Sequence, residues 1–174
     1  MRKKPVQRRS RLMVDSIIDA TAQIVAEEGL DGLTTNRVAE RAGISNGSLY
    51  QYFHDRNDLI EALLEKVSAD TMKMFSQGLG QVESEKLDVQ QMSKLALTLA
   101  LAFLRSNDLY PELIRNWHRL PVNRLFDPIE QYFINAGRAY LLQHTERYSS
   151  QKLQTKLYVL INSTIFTMIR FLSE

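Results

Sequence analysis

Apolar residues recur along this chain three and four positions apart, the spacing that lines one face of a helix. No run alternates with period two for long enough to form a strand. From about Leu12 to Glu28 the stripe is Leu12, Ile17, Ala20, Ile24 and Val25, with Gly29 as a left-handed cap. Leu30 and Leu33 flank the turn pair Asp31-Gly32. Two short helices follow. Thr34 or Thr35 caps the first, Val38, Ala39 and Ala42 share its inner face, and Gly43 supplies the left-handed stop. Ile44 plugs the corner. Ser45 or Asn46 caps the second helix, and Leu49 and Phe53, four apart, anchor it inward. Asp55 caps a fourth helix, whose buried face runs through Leu59, Ile60, Leu63, Leu64, Val67, Met74 and Phe75 to about Gln77.

Gly78-Leu79-Gly80 breaks that rod, and the polar stretch Gln81 to Asp88 reads as a linker. The second half is again helical. Val89 to Arg105 is one helix, stopped by Ser106-Asn107-Asp108. Pro111 suits the first turn of a short helix running to about Arg119. Beyond Pro121 a longer helix runs from about Val122 to His144, with Pro128 as a possible kink site. Ser149 or Ser150 caps a last helix with an apolar face from Leu153 to Leu172. The fold class is therefore all-α, with boundaries at residues 1–54, 55–80 and 81–174.

Composition changes this picture little. The 174 residues supply ample core, and seven glycines and four prolines favour long helices. The absence of cysteine excludes a disulfide framework and thiolate chemistry and fits a cytoplasmic protein. No apolar run has the length of a secretory signal or a membrane span. Charge changes it more. The net charge of +2 hides a cluster: Arg2, Lys3, Lys4, Arg8, Arg9 and Arg11 all precede the first acid, Asp15. That arm is either a solvated tail or a reach toward phosphates. The second short helix presents Asn46, Gly47, Ser48, Tyr50, Gln51 and Tyr52 outward, a polar and aromatic set without an acid that suits a nucleic-acid groove. Enzyme signatures are sparse. His54, His118 and His144 lie far apart without metal-ligand spacing, and no serine sits in a Gly-x-Ser-x-Gly elbow. Glu27-Glu28 and the Glu83/Glu85 pair read as solvated faces, and Gly78-x-Gly80, with no preceding strand, is a poor phosphate loop. No enzyme, cofactor or metal is expected.

Over about Ser10 to Leu64 the chain resembles the TetR family of transcriptional regulators. The resemblance rests on Gly29-Leu30, Leu33-Thr34-Thr35, Val38-Ala39, Ala42-Gly43-Ile44-Ser45, Gly47, Leu49-Tyr50, Tyr52-Phe53, Arg56 and Leu59. It implies a basic arm and helix-turn-helix DNA-binding domain at 1–54, a connecting helix at 55–80, and a helical ligand-binding and dimerisation domain at 81–174. The implied function is a homodimeric repressor released from a palindromic operator by a small-molecule effector, with the signal passing through the fourth helix. In that frame Thr35 and Arg37 meet phosphate or a base edge; Arg37 could instead pair with Glu40. Ser45, Asn46, Gly47 and Ser48 stand at the recognition helix N-terminus, where free N–H groups favour phosphate. Tyr50 and Tyr52 give hydroxyls to phosphates, Gln51 reads a base, and Arg56 clamps the DNA backbone. Asn46 departs from the family's common lysine, which weakens a phosphate contact or turns it into base reading.

Phe103, Tyr110, Trp117, His118, Tyr132 and Phe133 are the candidate effector-site lining, with Asn116, His118 and Arg119 as polar handles; each aromatic also reads as ordinary core. The last helix is apolar over too wide a face for a monomer's edge, which points to a homodimer formed through it. Family members usually carry one more helix, so at Glu174 either the protein is short or the chain is truncated. The partners expected are double-stranded DNA, an effector and a second copy, with no membrane. The rival reading is a helical ligand-binding or adaptor protein without operator binding; the basic arm and the acid-free helix argue against it.

Overall fold

The computed structural model describes residues 8–80, 88–144 and 150–173. Arg2, Lys3 and Lys4, linker residues 81–87, Ser149 and the side chain of Leu153 lie outside the described residues. Among the described residues there are eight α-helices and no strand: α1 (Arg8–Glu28), α2 (Thr35–Arg41), α3 (Asn46–Tyr50), α4 (Arg56–Gly80), α5 (Val89–Leu104), α6 (Leu109–Arg115), α7 (Asn123–His144) and α8 (Ser150–Ser173). Two 3-10 turns, Leu30–Gly32 and Trp117–Arg119, complete them. No helix among these residues is long and apolar enough to cross a membrane.

The chain divides into two units, Met1–Val67 with Arg105–Val122, and Ser68–Leu104 with Asn123–Glu174. This differs from the division expected at residues 54 and 80. The partition falls inside α4, and the segment carrying α6 groups with the N-terminal residues because α6 packs on α1.

The first unit is built on α1. Val14, Ile17, Ala20, Ile24 and Val25 turn inward, and the buried Thr21 satisfies its hydroxyl by donating to the Ile17 carbonyl at 2.8 Å. Leu12, assigned to this stripe from the sequence, is instead 61% exposed; Val14 does the packing. Leu33, Val38, Leu49, Phe53, Leu59, Leu63 and Leu64 close the core. Burying each such side chain is worth about 1.5–3 kcal/mol, so the short helices α2 and α3 are held by packing rather than by their own propensity.

In the second unit α7 packs along α8. Gly137 lies at their contact, where a Cβ would stand 3.0 Å from Leu157 Cδ2 and the leucine would have to give way. Phe75 and Phe133 meet edge to face with centroids 4.7 Å apart. The break expected at Gly78 is absent. The helix runs on through Gly80, and Gly78 is accounted for by close approach, because a Cβ there would stand 2.9 Å from Leu99 Cδ1 on α5. Tyr158, Val159, Leu160, Phe166 and Phe171 of α8 are exposed.

Candidate nucleic-acid interface

Local chemistry builds the reader. Thr34, in extended backbone, caps α2 by accepting from the Arg37 N–H at 3.3 Å. At the other end Gly43 adopts φ +67°. There the Gly43 N–H donates to Glu40 O and the Ile44 N–H to Ala39 O, both at 3.0 Å, the paired bonds of a left-handed helix stop. Ser45 then caps α3, its Oγ accepting from the Ser48 N–H at 3.1 Å and lying 2.9 Å from Ser48 Oγ. Leu49 and Phe53 are fully buried and fix α3 to the core.

The outer face of α3 presents Asn46, Gly47 and Tyr50, with Ser45 and Gln51 flanking them, all exposed; Ser48 is half-buried. Thr35 and Tyr50 are brought together, Thr35 Oγ1 and the Tyr50 hydroxyl lying 3.1 Å apart. This pair joins the start of α2 to the end of α3 and leaves two hydroxyls side by side at the surface.

Three expected contacts are placed differently. Tyr52 does not face outward: it is 8% exposed, past the end of α3. It stands three residues after Leu49, a spacing that shares the inner face. Arg37 pairs with Glu28 of α1, not with Glu40, and its Nη1 donates to Gly32 O at 3.3 Å. Arg41 joins the same network, at 2.7 Å from Glu27 and 3.5 Å from Glu28. Glu27 and Glu28 are therefore partners of α2 rather than merely solvated acids. Arg56, expected to clamp DNA, turns inward. Its Nε donates to Leu33 O at 3.0 Å and its Nη2 to Leu30 O at 2.6 Å. Asp55 caps α4 as expected, accepting from Asn57 N and Asp58 N. Of the basic arm, Arg8, Arg9 and Arg11 are helical and form the opening of α1, Arg8, Arg9 and Arg11 all exposed.

The expected effector-site residues divide between the units. Tyr110, Trp117 and His118 belong to the first; Phe103, Tyr132 and Phe133 belong to the second, where Tyr132 and Phe133 meet edge to face at 5.4 Å. Two of the polar handles are engaged by protein groups. Asn116 Nδ2 donates to Glu112 Oε1 at 2.8 Å, and Arg119 forms an ion pair with Asp31. A cleft of about 480 Å³ lies between α1 and α2, lined by Ile24, Glu28, Arg37, Glu40 and Arg41. Its wall is ionic and holds none of the expected effector residues. No three metal-binding side chains cluster among the described residues.

Glu112 is the residue that sequence reading missed. Its Oε1 accepts from the Leu30 N–H at 3.1 Å, and its Oε2 accepts from Arg115 Nη2 at 2.7 Å. Burial pushes its carboxyl up, but the bonds from Arg115, Leu30 and Asn116 outweigh this and hold it below the ordinary value of 4.5. Arg119 likewise lowers Asp31, by hydrogen bond and by charge. Nothing in the sequence marks a pairing across 82 residues.

Residues 17–63 match the family model described as bacterial regulatory proteins, tetR family. The nucleoid occlusion factor SlmA of Haemophilus ducreyi is 24% identical over 160 residues, 87% of this chain and 76% of that protein. The HTH-type transcriptional regulator BetI of Klebsiella pneumoniae is 30% identical over 124 residues, 64% of this chain and 60% of BetI, so the match spans less than two thirds of that relative. The transcriptional regulator FadR of Bacillus subtilis, solved in complex with stearoyl-CoA, shares the fold with a TM-score of 0.62 at 14% identity, covering 90% of this chain and 87% of that one.

Proposed function

We propose that this chain, whose residues 17–63 match the family model of the tetR bacterial regulatory proteins, is a homodimeric repressor that leaves a palindromic operator when a small effector binds. The observation that carries DNA reading is α3: a helix capped by Ser45, anchored by Leu49 and Phe53, with an exposed acid-free face. Asn46 and Gln51 offer amides to base edges, and Gly47 lets the backbone approach DNA closely. The Thr35–Tyr50 hydroxyl pair binds a phosphate oxygen, and the N–H groups opening α3 bind another. Arg8, Arg9 and Arg11 supply the long-range attraction. Arg37 and Arg56 act one step back, by fixing α2 and the preceding turn.

The effector reading is supported by the aromatic residues Phe103, Tyr132 and Phe133 of the second unit, and by the FadR complex with stearoyl-CoA, a ligand-bearing protein of the same fold. Connecting residues 55–80 carry the signal as a population shift between spacings of the two readers.

The test is selection of duplexes from a random library, followed by titration at several salt concentrations. The expected result is a palindromic consensus whose affinity falls as salt rises. Tyr50→Phe weakens that duplex about fivefold, as expected for one phosphate hydrogen bond, with the melting temperature unchanged. A protein that enriches no sequence overturns the operator reading and leaves the ligand-binding alternative.

A further inference from the structure

The 3-10 turn Leu30–Gly32 is the last structure before Thr34, the cap that starts the reader. It is held from two distant parts of the chain. Arg56 takes the carbonyls of Leu30 and Leu33. Glu112 takes the Leu30 N–H, and Arg119 takes the Asp31 carboxylate. Glu112 is itself fixed by Arg115 and Asn116, and Asn116 Oδ1 accepts from Arg119 at 3.1 Å, so one hydrogen-bonded group joins both anchors. Gly29, which enters the turn, has φ +76° and ψ 172°, a backbone region essentially restricted to glycine. A Cβ there would also stand 3.1 Å from Glu112 Oε1. The backbone at this position demands glycine, and a Cβ there would also crowd the carboxylate that approaches it.

We infer that Glu112, supported by Arg119, is a positioning residue for DNA reading: it sets the course on which the chain leaves α1 and enters α2 and α3. The segment that bears both residues is joined covalently to α5 on one side and α7 on the other. The positioning role rests on the DNA-binding reading of α3.

The experiment pairs hydrogen–deuterium exchange of the free protein with affinity for the selected duplex. Glu112→Ala is expected to speed exchange in the peptide covering Leu30 to Thr35, leave α8 unchanged, and weaken the duplex about tenfold. Glu112→Gln keeps a carbonyl oxygen for the Leu30 N–H and restores both readouts to within about threefold. Arg119→Asp, an exposed change that leaves the core intact, weakens binding, and the swap with Asp31→Arg recovers it. Unchanged exchange in Glu112→Ala overturns the inference, as does a Glu112→Gln variant as damaged as the alanine. If the wild type enriches no duplex, the operator reading fails on its own, while the exchange arm still decides whether Glu112 holds the turn.

Discussion

Arginines near a DNA-reading helix invite assignment to phosphates, yet the neighbours of each arginine decide its use. Arg37 and Arg41 of this chain meet Glu28 and Glu27, and Arg56 meets two carbonyls. Their charge is partly neutralised or turned inward, whereas Tyr50, Asn46 and Gln51 are exposed and Thr35 is half-buried beside Tyr50. Glu112 shows the same logic at a carboxylate, with a consequence for pH. Its folded pKa lies below the ordinary 4.5, so its contribution to stability is present above that value and is lost as pH falls through the lower folded one. Glu112→Gln should therefore be less stable than wild type in urea melts at neutral pH. The gap should narrow below about pH 4.5 and close in stronger acid. A gap that stays constant down to acid pH contradicts a charge-dependent role.

At the scale of elements, the reader is two helices too short to stand alone, fixed by caps and a corner. Gly43 is that corner. A Cβ there would meet nothing within 4 Å, so Gly43→Ala isolates the backbone strain of φ +67°. The expected cost is about 1 kcal/mol, and less for Asn, which tolerates the left-handed region better. Thermal melting of the two variants checks the order; equal loss for both would indicate that packing, not backbone strain, is at issue. Gly29→Ala should cost more, since φ +76° with ψ 172° lies in a region essentially restricted to glycine and a Cβ there would also crowd Glu112. The glycines of α4 and α7 serve another purpose. Gly78 and Gly137 admit Leu99 and Leu157 between helices, and neither breaks its helix.

For the whole molecule, the exposed apolar residues of α8 matter most. Val159 and Phe166 are seven apart, and Phe171 lies five beyond Phe166, at 56%, 58% and 70% exposure. Exposed apolar residues on a helix suit an interface with another chain, and the proposed dimer would supply a second copy to cover them. Phe166→Glu combined with Phe171→Glu should convert the protein to a monomer in sedimentation and weaken the palindromic duplex more than tenfold, because one reader without its twin loses half the contacts. A wild type that sediments as a monomer at micromolar concentration removes this part of the proposal.

The sequence by itself determined the helices, because apolar spacing, caps and glycine stops are local and act within a few residues of one another. Ser45, Gly43, Thr34 and Asp55 cap and stop the helices where their residue types demand. The family resemblance was likewise legible, since it rests on closely spaced positions from Gly29 to Leu59, within the matched 17–63. Tertiary structure alone decided which polar groups remain available. Tyr52 turned inward, Gly78 became a contact instead of a hinge, and Arg56 gave its donors to Leu30 and Leu33. Glu112 reached the turn before the reader from 82 residues away. The physical reason is the same throughout. Whether a helix forms depends on neighbours in sequence, whereas the use of a charge or a missing side chain depends on what folding brings within about 3 Å of it.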